Sequence, residues 1–143
     1  MRVLVALLIL FGLAGSAAAQ LPATDVGTAD RSAIRNVIEG QIAAFRRDDG
    51  EAAFGFASPG IQRLFGDAPS FMNMVRGGYQ PVYRPRDVAF RDLLRFADQL
   101  VQVVAVTGPD GRRMLALYPM EQQADGSWRI AGCQLVEPDD EAA

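Results

Sequence analysis

The stretch LVQVVAVTGPDGRRMLALYPM, residues 100–120, decides the fold of this chain. Residues 100–107 are rich in β-branched valine, which favours an extended strand. The sequence Gly108-Pro109-Asp110-Gly111 is typical of a tight turn, and apolar residues resume from 114 to 120. The stretch therefore predicts an antiparallel β-hairpin.

Two more strands flank this hairpin in the sequence. Between 88 and 96, apolar side chains recur at alternate positions, as in a strand with one buried face. After a turn at Ala124-Asp125-Gly126, the residues SWRIAGCQLV (127–136) predict a last strand. Four strands joined by short turns make an antiparallel meander.

The residues before the sheet have a helical period. From Asp30 to about Arg47, apolar positions are spaced by three and four, and Thr28 or Asp30 is suited to cap this helix. Shorter helices are predicted from Asp48-Asp49 to Ser58, from 59 to 65, and from about 71 to 76 with Asp67 or Ser70 as the cap. Gly77-Gly78 should end the last helix, and the prolines at 81 and 85 should keep the linking backbone extended. Helices followed by an antiparallel sheet predict an α+β domain with helices on one face.

The N-terminus has the features of an export signal. Arg2 precedes an apolar run from Val3 to Leu13, and Ala17 and Ala19 form the small-residue motif that a signal peptidase accepts. We expect residues 1–19 to be removed, so that the mature chain starts at Gln20 in the periplasm or the medium, without stable membrane insertion. Residues 20–136 then form one domain, followed by an acidic, disordered tail at 137–143.

Composition narrows the chemistry that the chain can perform. The sequence has no histidine, which excludes Ser-His and Cys-His nucleophile pairs and the usual zinc and copper ligand sets. The net charge of −3 argues against a general affinity for nucleic acid. The single cysteine, Cys133, lies in a predicted strand and is expected to be a small buried hydrophobe. We therefore expect no metal site and no cofactor.

Positions in both halves of the chain carry a family resemblance. They are Asp30-Arg31, Ile34, Val37-Ile38, Gln41, Ala44-Phe45, Asp48-Asp49, Ala53-Phe54, Phe56-Ala57-Ser58-Pro59, Ile61, Leu64-Phe65, Phe71, Met74-Val75, Tyr79, Pro81-Val82-Tyr83, Pro85, Asp125-Gly126-Ser127-Trp128-Arg129-Ile130 and Gly132-Cys133. On these residues the chain resembles an exported bacterial family known only as domain of unknown function 4864. Through its element order and AFRRDDGEAAFGFASP (44–59), it also resembles, more distantly, the nuclear transport factor 2-like superfamily.

The wider resemblance implies a fold without choosing an activity. It implies a cone, in which a curved four-stranded antiparallel sheet wraps the N-terminal helices around a pocket. The superfamily includes dehydratases, isomerases and cyclases as well as domains that bind or assemble without catalysis. A shared fold does not decide between these functions, so individual residues must.

Three polar residues are candidates for ligand binding. On a helical wheel, Gln41 falls within about 20° of the centre of the apolar stripe of the first helix, so its amide faces the interior. Such an amide either satisfies backbone groups of the fold or donates to a ligand. Tyr79 and Tyr83 flank Pro81 in the segment that joins helices to sheet, where their rings either cover the edge of the core or line a pocket rim.

Charged residues near this segment offer weaker candidates. With strict alternation, Asp92 would share a face with apolar residues and could act as a general base, whereas a bulge would place it in solvent. Arginines 76, 84, 86, 91 and 95 outnumber the local acids Asp87 and Asp92, which suits a solvated rim or an anionic ligand.

These residues leave three classes of function open. The leading one is a non-catalytic module that binds a small apolar or amphipathic molecule in the cone, or self-associates as a homodimer through its sheet. The second is an acid-base enzyme of dehydratase or isomerase type that uses Asp92 and a tyrosine. The third is a purely structural domain with a filled interior.

Overall fold

The computed structural model describes residues 21–139. The predicted signal at 1–19 and residues 140–143 of the predicted tail lie outside the described residues. Within residues 21–139, no helix is both long enough and apolar enough to cross a bilayer.

Helices make up the first part of the described chain. They are α1 (Thr28–Arg46), α2 (Gly50–Gly55), α3 (Pro59–Phe65), α4 (Ala68–Gly78) and α5 (Gln80–Tyr83). The cap residues of α2, α3 and α4 are Asp49, Ser58 and Asp67, and each accepts a hydrogen bond from the backbone N–H three residues later. Asp67 is thus confirmed as the cap of α4.

Two sequence-based expectations about the helices are wrong. The first helix begins after Gly27 without any side-chain cap, so neither Thr28 nor Asp30 performs this role. The segment after Gly78 is not extended, because Gln80–Tyr83 forms the short helix α5. Pro81 fits there because the first turn of a helix needs no amide hydrogen from it.

The strands form one antiparallel sheet. They are β1 (Leu21–Pro22), β2 (Asp87–Phe96), β3 (Gln99–Thr107), β4 (Arg113–Gln122), β5 (Trp128–Ile130) and β6 (Gln134–Val136). The order is β1-β2-β3-β4-β5, and β6 also pairs with β4. The predicted hairpin of β3 and β4 is confirmed, with Val104 opposite Ala116.

The α+β class is confirmed, but the number of strands predicted from the sequence is wrong. Two residues of β1 pair with β2 and are too few to show an alternating pattern. The predicted last strand is divided, because β5 pairs with residues 120–122 and β6 pairs with 115–117. Pro119 lies between these two paired segments of β4. It has no amide hydrogen and cannot donate to a neighbouring strand. Only its carbonyl is used, as an acceptor for the backbone N–H of Ala131 at 2.8 Å.

The core lies between the helices and one face of the sheet. Ile34, Ile38 and Phe45 of α1 are buried in the same cluster as Val104 of β3 and Tyr118 of β4. Burial of such side chains is the main source of stability of an α+β layer pair. The helices thus cover one face, as the order of elements predicted.

Candidate ligand-binding cleft

A cleft opens between helices α1, α3, α4 and α5 and the C-terminal part of the sheet. Its volume is about 400 Å³ including the part open to solvent, and about 40 Å³ can hold the centre of a water molecule. The lining residues are Gln41, Phe45, Ala57, Ile61, Phe71, Met74, Val75, Tyr79, Val82, Tyr118, Ile130, Gly132 and Cys133. Because about 10–15 Å³ of such space suffices for one water, the enclosed part has room for a small chemical group.

Gln41 forms part of the wall on the side of α1. The side chain is 4% exposed, and its Nε2 donates a hydrogen bond of 3.1 Å to the carbonyl oxygen of Ala53 in α2. Gln41 is therefore anchored to a neighbouring helix and lines the cleft as well. The hydrogen bond to Ala53 is the structural role expected for this amide. Gln41 also lines the cleft, which is the position that a role in ligand binding requires.

The aromatic side of the cleft is built by α1 and α4. The rings of Phe45 and Phe71 lie with their centroids 6.3 Å apart, and Phe54 and Phe65 also contact Phe71 with centroids at 5.4 and 5.7 Å. Such tilted and edge-to-face aromatic pairs add to the stability gained from burial. The cleft thus has an apolar wall supported by packed aromatic rings.

Tyr118 of β4 is the least exposed of the polar residues that line the cleft. The residue has no exposed surface, and its hydroxyl makes no hydrogen bond with any of residues 21–139. Burial, and secondly the neighbouring thiol of Cys133, raise the pKa of Tyr118 well above its usual value. The phenol is therefore neutral at neutral pH and has a hydrogen atom to donate.

Cys133 lies beside this hydroxyl. Burial of the thiol raises the pKa of Cys133 to about 12, although the residue as a whole is partly exposed. The thiol lies close enough to the phenol of Tyr118 to interact weakly with it and to affect its pKa, but the hydroxyl has no partner at normal hydrogen-bond geometry among the described residues. A protonated thiol is in any case a weak acceptor. Cys133 is thus uncharged and does not satisfy Tyr118.

The mouth of the cleft is formed by partly exposed side chains of α3 and α4. Ile61 and Met74 both line the cleft and are half-buried. Leu64, one turn after Ile61 on α3, is 68% exposed and is not among the lining residues. None of the described residues that line the cleft is charged. The interior is therefore apolar and neutral, with polar groups only from Gln41, Tyr79, Tyr118 and Cys133.

The two predicted tyrosines are placed differently. Tyr79 is 5% exposed and lines the cleft, but Tyr83 is not a lining residue. The hydroxyl of Tyr83 donates a hydrogen bond to the carboxylate of Asp48, and the guanidinium of Arg84 lies 4.0 Å from its ring centroid. Of the two placements expected for these rings, Tyr79 lines the cleft, whereas Tyr83 packs in the core cluster with its hydroxyl bonded to Asp48 and does not line this cleft.

Asp92 lies in β2 and is exposed to solvent. The register of β2 against β3 shifts between Phe90 and Leu93, so alternation is broken at a bulge. Asp92 lies in this bulge with its side chain exposed. The expectation that Asp92 lies on the buried face of the strand is therefore wrong. The structure shows the alternative, a bulge that places Asp92 in solvent.

The arginine excess near the junction is partly neutralised from other parts of the chain. Arg84 forms an ion pair of 2.9 Å with Asp48, and Arg95 forms one of 2.9 Å with Asp25. These acids lie far away in the sequence, so counting local charges could not include them. Arg76 donates a hydrogen bond of 3.3 Å to the hydroxyl of Tyr83.

Reasoning from the sequence missed Tyr118 as a candidate. The available signal was the alternation in β4, where Tyr118 lies on the same face as the small Ala116 and the apolar Met120. A hydroxyl placed on a buried strand face needs a partner, as the amide of Gln41 does. Applying that argument to the sheet would have identified Tyr118.

Comparison with known proteins confirms the first of the two resemblances found in the sequence, that to domain of unknown function 4864. A family model described as Domain of unknown function (DUF4864) matches residues 27–143. No curated protein and no solved structure matches the chain. Because the match extends over most of the sequence, the chain belongs to this domain family of unknown function.

Proposed function

We propose that this protein is a non-catalytic module that binds a small apolar or amphipathic molecule in the cleft. The observation that carries the proposal is a cleft that opens to solvent and is lined mainly by apolar side chains. Ligand sites in proteins are typically clefts of about 300–1,000 Å³ with apolar walls and a few polar groups. Only about 40 Å³ of the present cleft can hold the centre of a water molecule, so it takes a small ligand or a small group of a larger one.

The lining of the cleft favours binding over acid-base catalysis. A general base must lie within hydrogen-bonding reach of the proton that it removes. The described lining residues include no carboxylate, and Asp92 is exposed in the bulge of β2. The dehydratase or isomerase alternative with Asp92 as its base therefore has no support from the placement of these residues.

Two further features belong to the proposal. The helices on one face of a sheet, with a cleft between the layers, support membership of the nuclear transport factor 2-like cone superfamily. The apolar run and the Ala17 and Ala19 motif support export to the periplasm or the medium, with a mature start at Gln20. N-terminal sequencing of protein secreted by the producing cell tests the export proposal, and an intact Met1 on that protein would contradict it.

The binding proposal is tested by closing the mouth of the cleft. The probe is the neutral dye N-phenyl-1-naphthylamine, whose fluorescence rises in apolar surroundings. We expect saturable binding to the wild-type protein and loss of binding in Ile61→Trp, because a larger ring at this lining position fills the opening. Leu64→Trp is the matched control, since it places the same ring on α3 outside the cleft.

Two results would count against the binding proposal. One is the absence of saturable binding to the wild-type protein, provided that circular dichroism shows it folded. The other is equal dye affinity in the wild type, Ile61→Trp and Leu64→Trp, which would place the dye elsewhere on the surface.

Self-association through the sheet is a second candidate, and one observation favours it. Leu94, Leu115 and Leu117 alternate with residues of the core, so they lie on the opposite face of the sheet, and each is partly exposed. A second copy of the chain could cover these leucines. Sedimentation velocity should then show a dimer that Leu117→Arg dissociates and Leu64→Arg does not, and a wild-type monomer at high protein concentration would reject this candidate.

A further inference from the structure

Tyr118 carries a hydroxyl that the described fold does not use. The residue is fully buried, its hydroxyl has no hydrogen-bond partner among residues 21–139, and it lines the cleft. A buried hydroxyl without a partner lowers the stability of a protein, because its hydrogen bonds to water are lost and not replaced. A phenylalanine would fill nearly the same space without this cost.

The polar groups nearest to Tyr118 do not remove the cost. Cys133 has its pKa raised to about 12 by burial and stays a neutral thiol, which is a weak acceptor. Gln41, another buried polar side chain of the cleft, is anchored through its Nε2 to Ala53, and its amide oxygen accepts no hydrogen bond from Tyr118. The phenol of Tyr118 therefore remains an available strong donor among the residues that line the cleft.

We propose that Tyr118 determines ligand specificity by donating a hydrogen bond to a neutral oxygen acceptor, such as a ketone or amide carbonyl, on the bound molecule. This inference rests on the proposed function, since it assigns the chemistry of the ligand of the same cleft. The apolar part of the ligand lies against Phe45, Phe71 and Val75, and its carbonyl points towards β4.

Because the described lining of the cleft carries no charge, it favours a neutral acceptor over an anion. A carboxylate next to Tyr118 would be buried without a cation, because none of the described lining residues is charged. The arginines of the junction are directed elsewhere: Arg84 pairs with Asp48, and Arg76 donates to Tyr83, which does not line the cleft. A fatty-acid anion or a phosphate is therefore a poor occupant, and a neutral carbonyl compound is a good one.

The experiment compares two probes of nearly equal shape. Acetophenone carries a carbonyl oxygen, and α-methylstyrene has a CH₂ group in the same place. Binding of each to the wild type and to Tyr118→Phe is followed by NMR, with the methyl signal of Met74 as the reporter because this residue lines the mouth. Benzoate is the anionic probe, and benzamide is its neutral counterpart.

We expect the wild type to prefer acetophenone to α-methylstyrene and Tyr118→Phe to lose this preference. One neutral hydrogen bond corresponds to roughly a threefold to tenfold change in affinity. The affinity for α-methylstyrene should be the same in both proteins, and benzamide should bind the wild type more tightly than benzoate. If the hydroxyl of Tyr118 had only a structural role, the wild type would show no preference for acetophenone that Tyr118→Phe loses.

Each contrary outcome is distinct. If both probes bind equally to the wild type, or if Tyr118→Phe keeps the preference for acetophenone, the specificity proposal is wrong while the cleft remains a binding site. Tighter binding of benzoate than of benzamide would overturn the neutral-acceptor assignment. If Tyr118→Phe unfolds, the hydroxyl has a structural partner and the proposal fails. If no probe binds to the wild type, the proposed function fails together with it.

Discussion

The hydroxyl of Tyr83 donates a hydrogen bond to the carboxylate of Asp48, across 35 positions of the sequence. Asp48 follows α1 with a φ of 55°, in the left-handed region that few residues other than glycine adopt. The guanidinium of Arg84 stacks on the Tyr83 ring and pairs with the same carboxylate at 2.9 Å. These contacts fasten the turn after α1 to the short helix α5, and they explain why Tyr83 does not reach the cleft.

This contact predicts a specific dependence of stability on pH. The hydrogen bond from Tyr83, more than the contribution of Arg84, lowers the pKa of Asp48 below its ordinary value of 3.8. A lowered pKa in the folded state stabilises the protein above the unfolded-state pKa, and this stability is lost as the pH falls through the folded pKa. Tyr83→Phe should therefore lower the urea midpoint at pH 7, and this effect should shrink as the pH falls below 3.8 and the Asp48 carboxylate becomes protonated.

The control for this prediction removes the carboxylate. In an Asp48→Asn background, the effect of Tyr83→Phe should no longer change between pH 7 and pH 3, because the titrating partner is absent. If the effect of Tyr83→Phe in the wild type is the same at both pH values, the Asp48 carboxylate is not its partner in solution.

The order and class of the elements could be predicted because each is encoded locally. The period of apolar residues identified α1, and the Gly-Pro-Asp-Gly turn identified the hairpin of β3 and β4. The bulge at Asp92 and the direction of Tyr83 depend on residues distant in the sequence, which local patterns do not contain. Of the candidate site, Gln41 was found because a helical wheel places it inside, whereas Tyr118 was missed because the same test was not applied to β4.

Gln102 should stabilise the bulge in β2. Its side chain is buried, and its Nε2 donates to the carbonyl oxygens of Val103 at 3.0 Å and of Arg91, a bulge residue, at 2.9 Å. Gln102→Leu leaves these carbonyls without that donor, so the free energy of unfolding should fall by about 1–3 kcal/mol in urea titrations. Gln122→Leu is the control, because Gln122 is exposed and should change stability by less than about 0.5 kcal/mol. Equal effects of the two substitutions would contradict this role.

Trp128 should be essential for stability. The residue is 8% exposed, and its Nε1 donates a hydrogen bond of 3.1 Å to Asp30 at the start of α1. Trp128→Ala should cost about 3–5 kcal/mol, since it removes a large buried ring and leaves a cavity. Trp128→Phe keeps much of the apolar contact and loses the hydrogen bond, so its cost should be clearly smaller. A loss below about 1 kcal/mol for Trp128→Ala would show that the ring does not join α1 to the sheet.

Cys133 should react slowly with thiol reagents in the native protein. Burial raises its pKa to about 12, so at pH 8 only roughly one thiol in ten thousand is the reactive thiolate. We expect labelling by iodoacetamide to be at least about a hundredfold slower than that of free cysteine, and to accelerate about tenfold for each pH unit from 8 to 10. In urea the thiol should react at the rate of free cysteine, which controls for the reagent. If native protein is labelled as fast as free cysteine at pH 8, the thiol is accessible and ionised. The claim that Cys133 is an uncharged neighbour of Tyr118 in the cleft would then be wrong.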